Sequence, residues 1–134
     1  MSETRALFAA VVVSVATIAG SLVLQSNGTA VVIGDGTPAC TRNTINGSLQ
    51  VSNNSAAVTM YGNKVIGSVQ VQGDLGASTI NANTVGVSVQ VQSNAGATQV
   101  FNNVIANALQ CQSNTTITGA GNKAAVKQGQ CAKF

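Results

Sequence analysis

Asn43-Thr44-Ile45-Asn46-Gly47-Ser48-Leu49-Gln50-Val51 decides how this chain is read, because its pattern returns at equal intervals, at Asn63, Asn83 and Asn103. Gln50, Gln70, Gln90 and Gln110 hold one phase of the repeat, and Asn43, Asn63, Asn83 and Asn103 hold another. A fixed period of about 20 to 50 residues marks a stacked architecture, in which each copy buries its apolar face against its neighbours.

Within each copy the first half alternates. Ile45, Gly47, Leu49 and Val51 share one phase, as do Val65, Gly67, Val69 and Val71, and Val85, Val87, Val89 and Val91. Ser48, Gln50, Ser68, Gln70, Ser88, Gln90 and Gln92 take the other. A period of two predicts a β-strand with one buried and one polar face. Turn residues follow at Asn53-Asn54, Gly73-Asp74, Ser93-Asn94 and Ser113-Asn114. A shorter strand comes next, with Val58, Met60, Ser78, Ile80, Thr98 and Val100 inward. Stacked copies pair each strand in parallel with its equivalent about 4.8 Å away. Val then lies on Val and Gln on Gln, and stacked amides bond along the axis. The expectation is an all-β fold, a short parallel β-solenoid of about five coils. Residues 21–35 read as a worn first copy, since Ser21 to Asn27 parallels Ser88 to Asn94.

Arg5 precedes an apolar run starting at Ala6, which reads as a signal peptide over residues 1–19 or as a hydrophobic anchor. Thr17-Ile18-Ala19 and Gly28-Thr29-Ala30 are competing cleavage sites, and the worn copy favours the first. Residues 20–134 are left as the repeat domain.

Cys111 stands where earlier copies have Val51, Val71 and Val91, and Cys131 follows one period later. Stacked equivalents lie within disulfide reach, which predicts a Cys111–Cys131 bridge over the last coil. Cys40 lies in a segment that breaks the repeat and is too many coils away to join them. Pairing between molecules, a lipid anchor and a free thiol all remain open for it.

Composition narrows function by exclusion. Charged residues are 7% and aromatics 3%, and the net charge of +3 is not gathered into a basic patch. Nucleic acid is therefore not an expected partner. The chain has no His and only three Cys, so no metal site or cofactor is expected. A triad lacks its usual base. Asp35 and Asp74 read as solvated turn residues, so no catalytic residues are assigned. Lys123, Lys127 and Lys133 look like charges guarding the C-terminal sheet edge.

The run from Asn103 to Cys111, followed by Gly129-Gln130-Cys131, resembles small secreted proteins of actinomycetes that carry repeated Asn-x-Val-x-Gly-x-Leu-Gln-Cys motifs. That resemblance implies export and the disulfide, and no activity. Curli-type amyloid subunits are similar in architecture only, since Ser48-Leu49-Gln50 departs from their Ser-to-Gln spacing. The expected function is a non-enzymatic, exported structural protein of the cell surface or matrix, with other copies of itself as partner. The alternative is a binding module that lays its Ser/Gln face on a cell-wall glycan or another regular surface.

Overall fold

The structure, a computed structural model, describes residues 11–34 and 42–134. Those residues form a parallel β-solenoid without helices. Coil 1 is β1 (Val11–Val13), β2 (Thr17–Ile18) and β3 (Leu22–Gln25). Coil 2 is β4 (Val31–Ile33), β5 (Thr44–Ile45) and β6 (Leu49–Ser52). Coil 3 is β7 (Val58–Tyr61), β8 (Lys64–Val65) and β9 (Val69–Gln72). Coil 4 is β10 (Ser78–Asn81), β11 (Thr84–Val85) and β12 (Val89–Gln92). Coil 5 is β13 (Ala97–Phe101), β14 (Val104–Ile105) and β15 (Ala108–Gln112), and a sixth coil holds β16 (Thr116–Ala120) and β17 (Val126–Gly129). The strands stack into three parallel sheets of six, five and six members.

Each wall is in register over several coils. Leu49, Val69, Val89 and Leu109 form one inner column, and Val51, Val71, Val91 and Cys111 the next. Ile33, Met60, Ile80 and Val100 line the opposite wall, and Ile45, Val65, Val85 and Ile105 the third. All are buried. Alternation thus places one apolar stripe per wall in a narrow core, and burial of each Val, Leu or Ile contributes about 1.5–3 kcal/mol against chain ordering.

Three expectations need correction. The coils number six rather than five. Val11–Val13 and Thr17–Ile18, within the stretch read as a signal peptide or hydrophobic anchor, lie as strands on β4 and β5. Val11, Val13 and Ile18 fall on Val31, Ile33 and Ile45, so the leader-like stretch carries the inner phase of the repeat. Residue 19 lies between β2 and β3, and cleavage of a leader there is a matter of processing that the pairing of these strands leaves open; residues 1–10 lie outside the described residues.

Second, each of coils 1 to 5 has three strands, not two. The first half of a copy bends at Asn46-Gly47-Ser48 and its equivalents. A Cβ at Gly47 or Gly67 would stand 2.5 Å from the Ser21 or Ser48 hydroxyl, so the corner favours glycine. Val87 occupies that corner in the next copy and is 44% exposed, contrary to its expected inward place.

Third, the period shortens at the end. Coils 3 to 5 pair at the regular offset, as Val69 does with Val89 and Val89 with Leu109. The offset is one shorter where Ala97 meets Thr116, and two shorter where Ala108 meets Val126. Gln110 therefore pairs with Gln128 rather than Gln130, and Cys111 with Gly129. Near the start, β1 meets β4 at the regular offset, Val11 on Val31, but β2 meets β5 at a longer one, Thr17 on Thr44. The interruption thus falls between Ile33 and Thr44, inside coil 2. Cys40 and Asp35 belong to that interruption and lie outside the described residues.

Candidate functional site

What distinguishes the molecule chemically is a pair of buried polar ladders. In the first, Asn43 Nδ2 donates to Asn63 Oδ1 at 2.9 Å. The Asn63 backbone N–H and Nδ2 both donate to Asn83 Oδ1 at 2.9 Å. Asn83 does the same to Asn103, and Asn103 to Asn122. Each Nδ2 spends its other hydrogen on a strand carbonyl: Val13, Ile33, Met60 and Ile80 in turn. Every amide is thereby satisfied inside the stack, which is what makes burial of a polar side chain tolerable. The four Asn residues singled out in the repeat are the upper rungs, and Asn122, one residue off the period, is the fifth.

A second ladder stands at the corner where the sequence shows only turn residues. Asn27, Asn54, Asp74, Asn94, Asn114 and Gln130 form its rungs. Asn54, Asp74, Asn94 and Asn114 are buried, so Asp74 is not the solvated turn carboxylate expected of it. The recurrence of Asn, Asp, Asn and Asn at the repeat spacing carries this signal, but turn chemistry explains the same residue types equally well.

Both ladders share a backbone device. The residue before a rung has positive φ: Gly62, Ala82, Asn102 and Gly121 in the first ladder, and Ser26, Asn53, Gly73, Ser93, Ser113 and Gly129 in the second. A left-handed residue turns the chain so that the next side chain enters the stack. Ala82 bears this conformation at φ 58° with a Cβ that disfavours it. Ala82→Gly is therefore expected to stabilise the fold by about 0.5–1 kcal/mol, once the entropy gained by the unfolded chain is subtracted. Urea unfolding reads this directly, and a loss of stability would refute the strain at this corner.

The C-terminal end is closed. Gln130 leaves the glutamine column and turns beneath Asn114, its Oε1 accepting from the Asn114 backbone N–H and Nδ2 at 3.0 and 2.9 Å. The Phe134 carbonyl accepts from the Asn122 N–H at 2.9 Å and from Nδ2 at 3.2 Å. Both ladders thus end on acceptors supplied by the segment 130–134. Cys111 and Cys131 are joined as a disulfide with Cα atoms 5.3 Å apart, although Cys131 is not the strand partner of Cys111. The Phe134 ring packs under Gly119, where a Cβ would meet it at 2.5 Å.

The N-terminal end differs. Val11, Val13, Ile18, Leu22 and Leu24 are the inner residues of coil 1, yet they are only partly buried, whereas their counterparts in coils 2 to 5 are fully enclosed. The first Asn ladder stops there because Ala16 stands where a rung would be, and its N–H donates to Asn43 Oδ1.

The outer face of the sheet β3-β6-β9-β12-β15-β17 carries two glutamine columns. Gln50, Gln70, Gln90 and Gln110 stack in register as expected. Gln72, Gln92 and Gln112 stand beside them, with side-chain bonds from Gln92 to Gln72 and from Gln112 to Gln92 at 3.3 and 3.1 Å. The Ser column beside them is tied into the stack as an acceptor. Ser21, Ser48, Ser68 and Ser88 hydroxyls accept the backbone N–H of the next coil at 3.0, 3.1, 3.4 and 3.2 Å. Among the described residues there is no pocket and no group of three potential metal-binding side chains. No helix among them is long and apolar enough to cross a membrane. No family model, curated protein or solved structure matches this chain.

Proposed function

We propose that the chain is a non-enzymatic, exported structural protein of the cell surface or extracellular matrix, whose stacks join end to end into fibres. The asymmetry of the two ends carries this reading. A solenoid built of identical rungs has no intrinsic stop, and its terminal strands offer unpaired backbone groups to another chain. Here one end is closed by a dedicated cap, while the inner residues of the other remain partly uncovered. A cap on an otherwise repeating stack makes growth conditional: the open end is ready to pair, and head-to-tail joining follows release of the segment 130–134 from the other. The disulfide within that cap supports an oxidising compartment. Electron microscopy and thioflavin binding of the purified chain test the reading, with and without reductant. Fibres are expected, more abundant when the disulfide is reduced. A chain that stays monomeric at high concentration under both conditions sinks the proposal.

A second reading is supported by the glutamine columns. Their amides form a flat array that repeats at the strand spacing, about 4.8 Å, and amides of this kind bond readily to sugar hydroxyls. In that case the chain is a secreted module that binds a cell-wall glycan. Cosedimentation with insoluble polysaccharide, lost in a Gln70→Lys, Gln90→Lys variant, would favour it over assembly.

A further inference from the structure

Asp74 Oδ2 and Ser78 Oγ are the buried side-chain atoms without a hydrogen-bond partner among the described residues. The Ser78 hydroxyl is the one side-chain donor near Asp74 besides Asn54, and the ladder explains why Oδ2 finds no amide partner. Asp74 Oδ1 plays the part of the amide oxygen in the second ladder, accepting from the Asn54 N–H and Nδ2 at 2.8 and 3.0 Å. Oδ2 therefore stands where its neighbours carry Nδ2. In Asn94 that nitrogen donates to Asn114 Oδ1 and the Val71 carbonyl, and in Asn114 to Gln130 Oε1 and the Val91 carbonyl. One coil earlier, the same two directions lead to Asn94 Oδ1 and the Val51 carbonyl. Both are acceptors, and Asn94 Oδ1 already accepts from the Asp74 N–H at 2.9 Å. An ionised carboxylate would set oxygen against oxygen in the interior of the stack.

From this geometry we infer that Asp74 stands in the ladder as a neutral carboxylic acid, its proton replacing an amide hydrogen, and that ionisation breaks the ladder there. Among the described residues it is the single acid-stabilised rung. Burial raises the Asp74 carboxyl above its ordinary value of 3.8, opposed by the bonds from Asn54 and by the nearby Ser78 hydroxyl. No other charge intervenes. The turns above and below, residues 53–57 and 93–96, contain no acidic or basic side chain, nor do β6, β9, β10, β12 and β13. Tyr61 ends β7 on its outward phase and is the one ionisable group on that strand.

The sign follows from linkage. The native state keeps a proton that the unfolded chain has released, so this rung's contribution is fully present below pH 3.8. It is lost as pH rises through the higher native value. With no His in the chain, the background between pH 4 and 7 is nearly flat.

The test is thermal unfolding of the full chain from pH 4 to pH 8, beside an Asp74→Asn variant and a carbon-13 NMR titration of the Asp74 carboxyl in the wild type. The wild type is expected to melt about 5 °C lower at pH 8 than at pH 4. The variant restores an amide to the ladder and should melt higher than the wild type at pH 8, with little pH dependence. A carboxyl that titrates at or below 3.8 overturns the inference, whether or not the variant folds. So does a variant less stable than the wild type at pH 8, which would mean that the Ser78 hydroxyl holds a carboxylate. Stabilisation by calcium at pH 8 that vanishes in Asp74→Asn would also overturn it, because a cation rather than a proton would then fill the gap.

Discussion

Asn83→Ala is expected to remove about 3–5 kcal/mol of stability, whereas Gln90→Ala should change it by less than about 0.5 kcal/mol. Both side chains are amides in stacked columns at the same period. They differ in where the bonds lie. Removal of the Asn83 side chain strands the Asn63 N–H and one Asn63 Nδ2 hydrogen in the interior, together with the Met60 carbonyl. Each unsatisfied buried group costs about 1–3 kcal/mol. Gln90 is exposed, its bond to Gln110 is long at 3.4 Å, and water replaces it. The loss in Asn83→Ala is a large part of the roughly 5–15 kcal/mol that holds a domain together. Denaturant unfolding of the two variants beside the wild type measures both numbers. Equal losses would mean that the outer glutamine columns hold the coils together as strongly as the inner asparagines.

That contrast also shows how far the sequence reveals the fold. The strand walls are legible because alternation is a direct consequence of strand geometry, and the register is legible because the inner columns repeat at a fixed interval. The first Asn ladder is legible for the same reason. The second ladder is not, since Asn54 and Asn94 look like ordinary turn formers until the preceding left-handed residue is seen to aim them inward. Coil 1 is hidden differently. A Val-rich strand and the apolar core of a signal peptide are the same composition, and only pairing with β4 distinguishes them. The last coil is obscured by the shortening of its period. That loss converts Gln130 from an expected member of the outer column into a cap, a change that spacing alone cannot show. The disulfide is nevertheless foreseen, because Cys131 needs only to arrive beneath Cys111, not to pair with it along the strand.

The largest functional effect is expected at that cap. In a chain with Cys111→Val and Cys131→Ala together, the core column keeps its shape, since Val51, Val71 and Val91 already occupy it. What changes is the hold on the segment 130–134. Loss of a cross-link closing a loop of this size removes about 3 kcal/mol from the closed state. The remaining fastenings are the bonds of Gln130 and Phe134 to Asn114, Asn122 and the Cys111 carbonyl, and the packing of the Phe134 ring under Gly119. When they open, the Asn114 and Asn122 rungs expose buried N–H donors beside β16 and β17, which are the last strands of their sheets. Such donors are the groups that each coil presents to the next throughout the stack, so the natural ligand for them is another coil. The uncapped variant is therefore expected to unfold about 3 kcal/mol more readily in dilute solution and to bind thioflavin and sediment as fibres when concentrated. Wild type under reductant should behave alike, and reductant should leave the variant unchanged. Lower stability without assembly would separate the two roles of the cap. It would leave Cys131 as a fastener of the last coil and remove the ground for regarding the C-terminal segment as a brake on growth.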